Sequence, residues 1–89
     1  MIRLTVISQT KEEAVLKVEG WVLGGNVVLL EQEGTRLLGE SERLVLDLEG
    51  VRSVDREGIA LLQCWSGERL VLRGASGFVH RRLAKHGLV

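Results

Sequence analysis

Two nearly continuous aliphatic runs constrain the fold of this chain more than any other feature. The first covers residues 44–48 (Leu-Val-Leu-Asp-Leu) and the second covers residues 70–72 (Leu-Val-Leu). A strand that is apolar on successive residues is typically covered on both faces, as in α/β proteins. The segment between the runs has Ile59, Leu62 and Trp65 at helical spacing. This order predicts parallel strands joined by a right-handed crossover.

The N-terminal part of the chain predicts a hairpin followed by a helix. Apolar and polar residues alternate over residues 2–6 and again over residues 14–19, on either side of a polar turn. An amphipathic pattern then predicts a helix over residues 27–38, with Asn26 as its N-cap. Gly34 is unfavourable inside a helix and indicates a close approach of this helix to the sheet.

The predicted order of elements is β-β-α-β-α-β-α, which defines an α/β fold with a mixed sheet of about four strands. A chain of 89 residues has room for one domain, taken as residues 1–89. Residues 44–48 should form the central strand, and residues 50–54 should form a loop. The first strand should lie towards an edge, which could support a homodimer or the addition of another strand. The last helix is expected over residues 78–86.

Charge and composition argue against several classes of function. The chain has 12 basic and 12 acidic residues, so no net charge attracts nucleic acid. No apolar run approaches the roughly 20 residues of a membrane span, and no signal peptide is visible, so the expected compartment is the cytoplasm. Cys64, the single cysteine, cannot form an internal disulfide and is expected to be a small core residue.

Neither a metal site nor a cofactor site is expected. His80 and His86 are six positions apart and do not share a helix face at the spacing of zinc proteases. Gly24 and Gly25 precede a helix but lack the rest of a phosphate loop, and residues 74–77 do not form a nucleophile elbow. The densest basic group, at residues 81, 82 and 85, is interpreted as a solvated helix face. The chain is therefore expected not to be an enzyme.

A more specific pattern lies in residues 44–62 (LVLDLEGVRSVDREGIALL). Asp47 stands at the end of the buried strand, Val51 and Val54 follow as aliphatic positions, and residues 55–58 (Asp-Arg-Glu-Gly) open a helix. This segment resembles the central signature of STAS domains, where an Asp-Ser-Ser-Gly or Asp-Ser-Thr-Gly turn opens the helix. The flanking segments, residues 18–20 and 85–88, are also similar to the family pattern, so the resemblance extends over essentially the whole chain.

The resemblance implies a non-enzymatic regulator of transcription of the bacterial anti-sigma factor antagonist type. Such a domain binds an anti-sigma factor that is also a kinase, and the kinase phosphorylates a hydroxyl in the turn. Here Arg56 and Glu57 occupy those positions and have no hydroxyl, so phosphorylation at the usual place is impossible. Constitutive binding, a permanent negative charge and a branch without the switch all remain open. The expected partner-binding residues are Val54, Asp55, Arg56, Glu57, Gly58, Ile59, Leu61 and Trp65.

Two other functions remain open at this stage. One is a STAS-like accessory subunit that docks on an ABC ATPase, or a module of a larger signalling complex. The other is a small nucleotide-binding protein, for which no constellation of residues is present. Several of the expected site residues also have a structural interpretation: Asp55 as the N-cap of the second helix, and Leu61 and Trp65 as core residues.

Overall fold

The computed structural model describes every residue from Met1 to Val89 and contains four strands and three helices in the predicted order. The elements are β1 Ile2–Gln9, β2 Glu13–Val22, α1 Asn26–Leu38, β3 Arg43–Val54, α2 Arg56–Trp65, β4 Leu70–Arg73 and α3 Gly77–Lys85. The strands lie in the order β1-β2-β3-β4, with β1 antiparallel to β2 and the other neighbours parallel. The predicted α/β fold with a mixed four-stranded sheet is confirmed.

The strand β3 is longer than the sequence pattern indicated. Residues 50–54, predicted as a loop, continue the strand and pair with β2, so that Asp47 lies inside β3 and not at its end. The register shifts between Lys17 and Glu19, and again between Gly20 and Trp21. At each shift β3 contains one more residue than β2, which is the geometry of a β-bulge. Because bulges interrupt the alternation of a strand, periodicity alone could not identify this half of β3.

The main hydrophobic core lies on one face of the sheet. It joins alternate residues of β2 and β3 to residues of all three helices. Its 17 buried members are Ala14, Leu16, Val18, Val22, Val27, Leu30, Leu37, Leu44, Leu46, Leu48, Val51, Val54, Ile59, Leu61, Leu62, Val79 and Leu83. Val15 and Val45 are also buried but belong to the opposite face, where they stand in register with Val71. A valine stripe across three strands, rather than a second layer of helices, therefore accounts for the continuous apolar run of β3.

Gly34 does bring two elements together, but its neighbour is a helix and not the sheet. A β-carbon on Gly34 would lie 2.7 Å from Cζ2 of Trp65, so the indole ring of α2 packs directly on the backbone of α1. The helix does pack on the sheet, through Val27, Leu30 and Leu37, but the atoms nearest to the glycine belong to α2. Glycine is needed here because any side chain would displace the ring.

Two further expectations about individual residues were wrong. Gly25 is the N-cap of α1 and Asn26 is the first helical residue, with its side-chain amide donating to the carbonyl of Trp21 at 3.4 Å. Cys64 is exposed, because the buried side of α2 is already formed by Ile59, Leu61 and Leu62. A thiol at position 64 therefore faces solvent rather than the core.

The edge of the sheet at β1 agrees with the predicted placement. A register shift between Val6 and Ser8 interrupts the pairing of β1 with β2. Bulges of this kind reduce the tendency of an edge to pair with another chain. The homodimer through this edge stays a prediction.

Candidate functional site

The N-termini of the three helices lie at one end of the sheet. Because β2, β3 and β4 are parallel, their carboxyl ends point to the same end of the sheet, and each is followed by a helix. This end is where α/β folds commonly place binding sites, since the loops there are free to vary. The turn expected to contact a partner, between β3 and α2, lies at this end.

Asp55 organises this turn by binding two loops at once. Its Oδ1 accepts a hydrogen bond from the backbone N–H of Gly58 at 2.9 Å, which caps α2 as the sequence predicted. Its Oδ2 accepts from the N–H of Gly24 at 2.8 Å, in the loop between β2 and α1. The backbone N–H of Asp55 also donates to the carbonyl of Val22 at 3.1 Å. One carboxylate therefore fixes the β3–α2 turn against the β2–α1 loop.

The electrostatic environment keeps the Asp55 carboxylate charged. The N–H of Gly58 is the largest cause of a pKa below the ordinary value, and the N–H of Gly24 is the next. Desolvation opposes these effects, whereas the N–H of Glu57 and the charge of Arg82 add to them. Hydrogen bonds to the ionised form dominate, as expected for a carboxylate at a helix N-terminus. The carboxylate therefore stays ionised and acts as the acceptor that fixes the two loops.

Gly58 allows α2 to start directly against the sheet. A β-carbon at this position would lie 2.7 Å from Cγ1 of Val54 and 2.9 Å from Cγ1 of Val22. Both valines are buried and have branched side chains that cannot swing aside easily. A glycine inside the first turn of a helix is otherwise unfavourable. The structure shows that close packing on two strands requires it.

Arg82 supports the same turn and was not identified from the sequence. Its Nε donates to the carbonyl of Val54 at 2.7 Å, so this side chain is not part of a fully solvated face. The pairing of β4 with β3 stops at Asp47, and α3 lies beside the remaining half of β3. This half of β3 pairs with β2 but has no strand on its other side, so the carbonyl of Val54 needs another donor. Sequence could have shown this only if the length of β3 had been known.

Only part of the predicted partner-binding set is available at the surface. Arg56 and Glu57 are exposed, while Asp55 and Trp65 are half-buried. The buried members of the set are Val54, Gly58, Ile59 and Leu61. These residues support the turn from within the core, Gly58 through its backbone and the others through their side chains. Direct contacts with a partner would therefore have to come from Arg56, Glu57 and exposed neighbours.

Exposed apolar residues lie next to this turn on the β2–α1 side. Leu23 precedes the glycine that Asp55 binds and is 39% exposed. Val28 and Leu29, in the first turns of α1, are each 50% exposed. The signal was present in the sequence: residues 27–30 are four consecutive aliphatic residues, and one face of a helix cannot bury all of them. These three side chains are named the apolar rim below.

The rest of the molecule offers no arrangement of reactive groups. No three His, Cys, Asp or Glu side chains come together in a way that could hold a metal ion. The largest cavity, of about 700 Å³, is lined by residues such as Lys11, Ser41 and Arg69, near the end of α1 remote from the Asp55 turn. None of the helices has the length and apolar character needed to cross a membrane.

The fold and the capped turn define a small α/β domain, and comparison with known families identifies which one. The family model described as "Mlab, STAS domain" matches residues 5–89. The chain belongs to the STAS domain family. A comparison with curated protein sequences found no match.

Solved structures of anti-sigma factor antagonists have the same fold. The anti-sigma factor antagonist SpoIIAA in its unphosphorylated form gives a TM-score of 0.76 at 18% identity, over 99% of this chain and 82% of that one. An anti-sigma factor antagonist from Mycobacterium paratuberculosis gives 0.75 at 25% identity, over 99% and 80%. A STAS-domain antisigma-factor antagonist from Rhodobacter sphaeroides gives 0.62 at 18% identity, over 82% and 86%. The resemblance inferred from the sequence is confirmed.

Proposed function

We propose that this chain is a non-enzymatic regulatory module that binds an anti-sigma factor of the kinase-like type through the surface around the Asp55 turn. The observation that carries the proposal is the double hydrogen bonding of Asp55, which holds the β2–α1 loop and the start of α2 in one rigid arrangement. The contact surface consists of Arg56 and Glu57 together with the apolar rim. Such a module would act on transcription in the cytoplasm of a bacterium.

The chemistry of this surface suits a protein partner. Protein interfaces combine an apolar centre with a polar margin, and the apolar rim beside the charged pair has that composition. The backbone beneath is already fixed by Asp55, Gly58 and Arg82. A surface that is ordered before binding loses little conformational entropy on association, which favours affinity.

The missing hydroxyls at positions 56 and 57 bear on regulation. Phosphorylation adds about −1.5 to −2 charges at a helix N-terminus and can switch off a binding surface. Arg56 and Glu57 cannot be modified in this way and offer one charge of each sign. We therefore propose that binding through this surface is not controlled by phosphorylation of the turn.

The experiment that tests the proposal is a titration of the captured partner with matched variants. Arg56→Ala/Glu57→Ala should weaken binding by up to about tenfold, because two exposed charge contacts are lost. Leu23→Ala/Leu29→Ala should weaken it further. The control Arg36→Ala/Glu40→Ala removes an exposed charge pair at the far end of α1 and should bind like the wild type. Equal affinity of all four proteins would refute the assignment of the surface.

The identity of the partner is tested by affinity capture from cells that make the protein naturally. Capture of a kinase-like anti-sigma factor supports the proposal. Phosphorylation of Arg56→Ser/Glu57→Ser by that partner, with none of the wild type, would show that the switch is absent because of these two residues. Capture only of proteins that are not kinase-like anti-sigma factors would contradict the proposed partner.

An ABC ATPase is the second candidate partner. The absence of a hydroxyl at positions 56 and 57 favours it, since a subunit that stays docked on an ATPase needs no phosphorylation switch. Co-purification of the chain with an ATPase, in place of a kinase-like anti-sigma factor, distinguishes the two. A larger signalling complex would appear in the same experiment as several co-purifying subunits.

A further inference from the structure

The balanced net charge of this chain conceals a strong separation of charge along it. Residues 69–89 contain five basic residues and no acidic one. Residues 1–68 contain the remaining seven basic residues and all twelve acidic ones. The C-terminal segment, formed by β4 and α3, is therefore a basic region on a chain that is otherwise acidic. The five basic residues are Arg69, Arg73, Arg81, Arg82 and Lys85.

The basic residues of α3 share one face with an exposed aromatic ring. Phe78, Arg81, Arg82 and Lys85 have the spacing of one helix face and line a shallow cleft of about 210 Å³. Phe78 is 62% exposed, more than any other large apolar side chain except Met1. These four residues are named the α3 basic face. The inward side of α3 is formed by Val79 and Leu83, so the fold does not need the basic face for its core.

The basic side chains of this face form no ion pair within the molecule. The three ion pairs of the structure join residues of α1, β2, β3 and the loop after α1, and none involves α3. Arg82 donates to a neutral carbonyl and so keeps its charge. Two acidic residues lie around this helix: Asp55, whose carboxylate is stabilised in part by the charge of Arg82, and Glu49, which lines a neighbouring cleft together with Phe78.

We propose that the α3 basic face binds an acidic segment of a partner protein, with an apolar side chain packed on Phe78 and carboxylates paired with Arg81 and Lys85. Guanidinium groups bind carboxylates in a planar, two-pronged geometry, and aromatic residues and arginine are enriched where protein interfaces are strongest. The hydrogen bond of Arg82 to Val54 makes this face continuous with the Asp55 turn, so one partner can cover both.

Other polyanions fit this face less well than a protein segment. Binding at a membrane surface requires an amphipathic helix with an extended apolar side, whereas α3 has nine residues and a single exposed aromatic ring. Single-stranded nucleic acid is held by several stacking rings along a basic groove, and the basic face has only Phe78. A short acidic segment with one apolar side chain matches the number and spacing of the groups present.

The test uses the full chain and an unbiased probe, a display library of random peptides. We expect enrichment of sequences with Asp or Glu next to an apolar residue. A synthetic peptide of the enriched sequence should bind about tenfold more weakly to Arg81→Glu/Lys85→Glu, and its affinity should fall as salt is raised. Phe78→Ala should weaken it as well. Neutral or basic consensus sequences, or no enrichment, would overturn the proposal.

Matched variants separate this face from the rest of the surface. Arg3→Glu/Lys11→Glu makes the same change of charge on the N-terminal hairpin and should bind like the wild type. Leu29→Ala removes another exposed apolar group and should also have no effect on the peptide. Because this proposal does not depend on the turn, Arg56→Ala/Glu57→Ala should bind the peptide normally even if it fails to bind the partner.

Two further results would also refute the proposal. Equal loss of affinity in Arg3→Glu/Lys11→Glu would show an effect of overall charge only. Binding of vesicles containing phosphatidylserine, or of single-stranded DNA, more tightly than the acidic peptide would assign a different ligand to the face. A thermal melt of each variant checks folding, and Arg81→Gln/Lys85→Gln, which removes the charge without reversing it, replaces any charge-reversal variant that does not fold.

Discussion

The β3–α2 junction and the β4–α3 junction have the same topology and very different local structure. Each leads from a parallel strand into a helix at the same edge of the sheet. Asp55 caps α2 through its side chain and also binds Gly24, whereas Ser76 precedes α3 without any side-chain cap. Gly58 is packed tightly behind the first junction, and Phe78 is exposed at the second.

The two junctions differ in how firmly their exposed residues are held. The first junction is held by hydrogen bonds and close packing, so its outward residues have fixed positions. The second junction is held mainly by the inward side of α3, which leaves an exposed basic face, while Arg82 of that helix donates to Val54 in the first junction. A residue that fixes the first junction should therefore matter more for stability than its counterpart at the second.

The largest effect is expected at Gly58. Gly58→Ala places a methyl group against two buried valines and should lower the free energy of unfolding by up to about 3 kcal/mol. Gly25→Ala is the control, because a β-carbon there meets nothing within 4 Å and the backbone is already helical. Denaturant unfolding measures both. A small effect at Gly58 would mean that the two strands move apart readily.

A loss of about 1–2 kcal/mol is expected for Asp55→Ala, since the α2 cap and the bond to Gly24 both disappear. Ser76→Ala should change stability little, because the Ser76 side chain makes no cap hydrogen bond. Thermal unfolding of the two variants is the measurement. An equal loss of stability in the two variants would contradict the conclusion that a side-chain cap stabilises only the first junction.

Arg82→Met should cost about 1 kcal/mol by leaving the carbonyl of Val54 without its donor. Arg81→Met, one position earlier and exposed, should be nearly neutral. The comparison uses equilibrium unfolding in urea. If both variants unfold at the wild-type midpoint, the hydrogen bond of Arg82 does not contribute to holding the first junction.

The smallest effect is a dependence on acid pH. Because the pKa of Asp55 is lower in the folded state than its ordinary value of 3.8, the unfolded chain takes up this proton more readily. The stabilisation by Asp55 is therefore complete above that value and is lost as the pH falls through the lower, folded-state pKa. Asp55→Asn should be less stable at neutral pH and should lose less stability on acidification. The measurement is the free energy of unfolding of both proteins across this pH range. Parallel curves of stability against pH would contradict a lowered pKa of Asp55 in the folded state.

Much of the fold could be predicted from local patterns. The order of elements, the edge position of β1, the central position of β3 and the inward residues of α2 and α3 all follow from hydrophobic periodicity. The Asp55 cap follows from the same reasoning, because a capping residue acts on groups only three positions away. The family resemblance depended on this segment and is confirmed by the family model.

The features that could not be predicted all depend on residues distant in sequence. The bond from Asp55 to Gly24 spans 31 positions, and that from Arg82 to Val54 spans 28. The packing of Trp65 on Gly34 joins two helices, and the bulged half of β3 depends on its register with β2. Periodicity describes which residues face inward, but it does not state which partner each one meets.

Local chemistry along the chain was thus sufficient for the elements, the family and the capped turn, since those depend on neighbours within one or two helical turns. The division between supporting and accessible residues came only from the packed structure. Ile59 and Leu61 were expected among the partner-binding residues and are buried, while Leu23 and Leu29, for which no contact was predicted, are exposed. Burial depends on the assembled sheet and helices. The residues on either side of a helix's apolar stripe are buried or exposed according to which elements pack beside them.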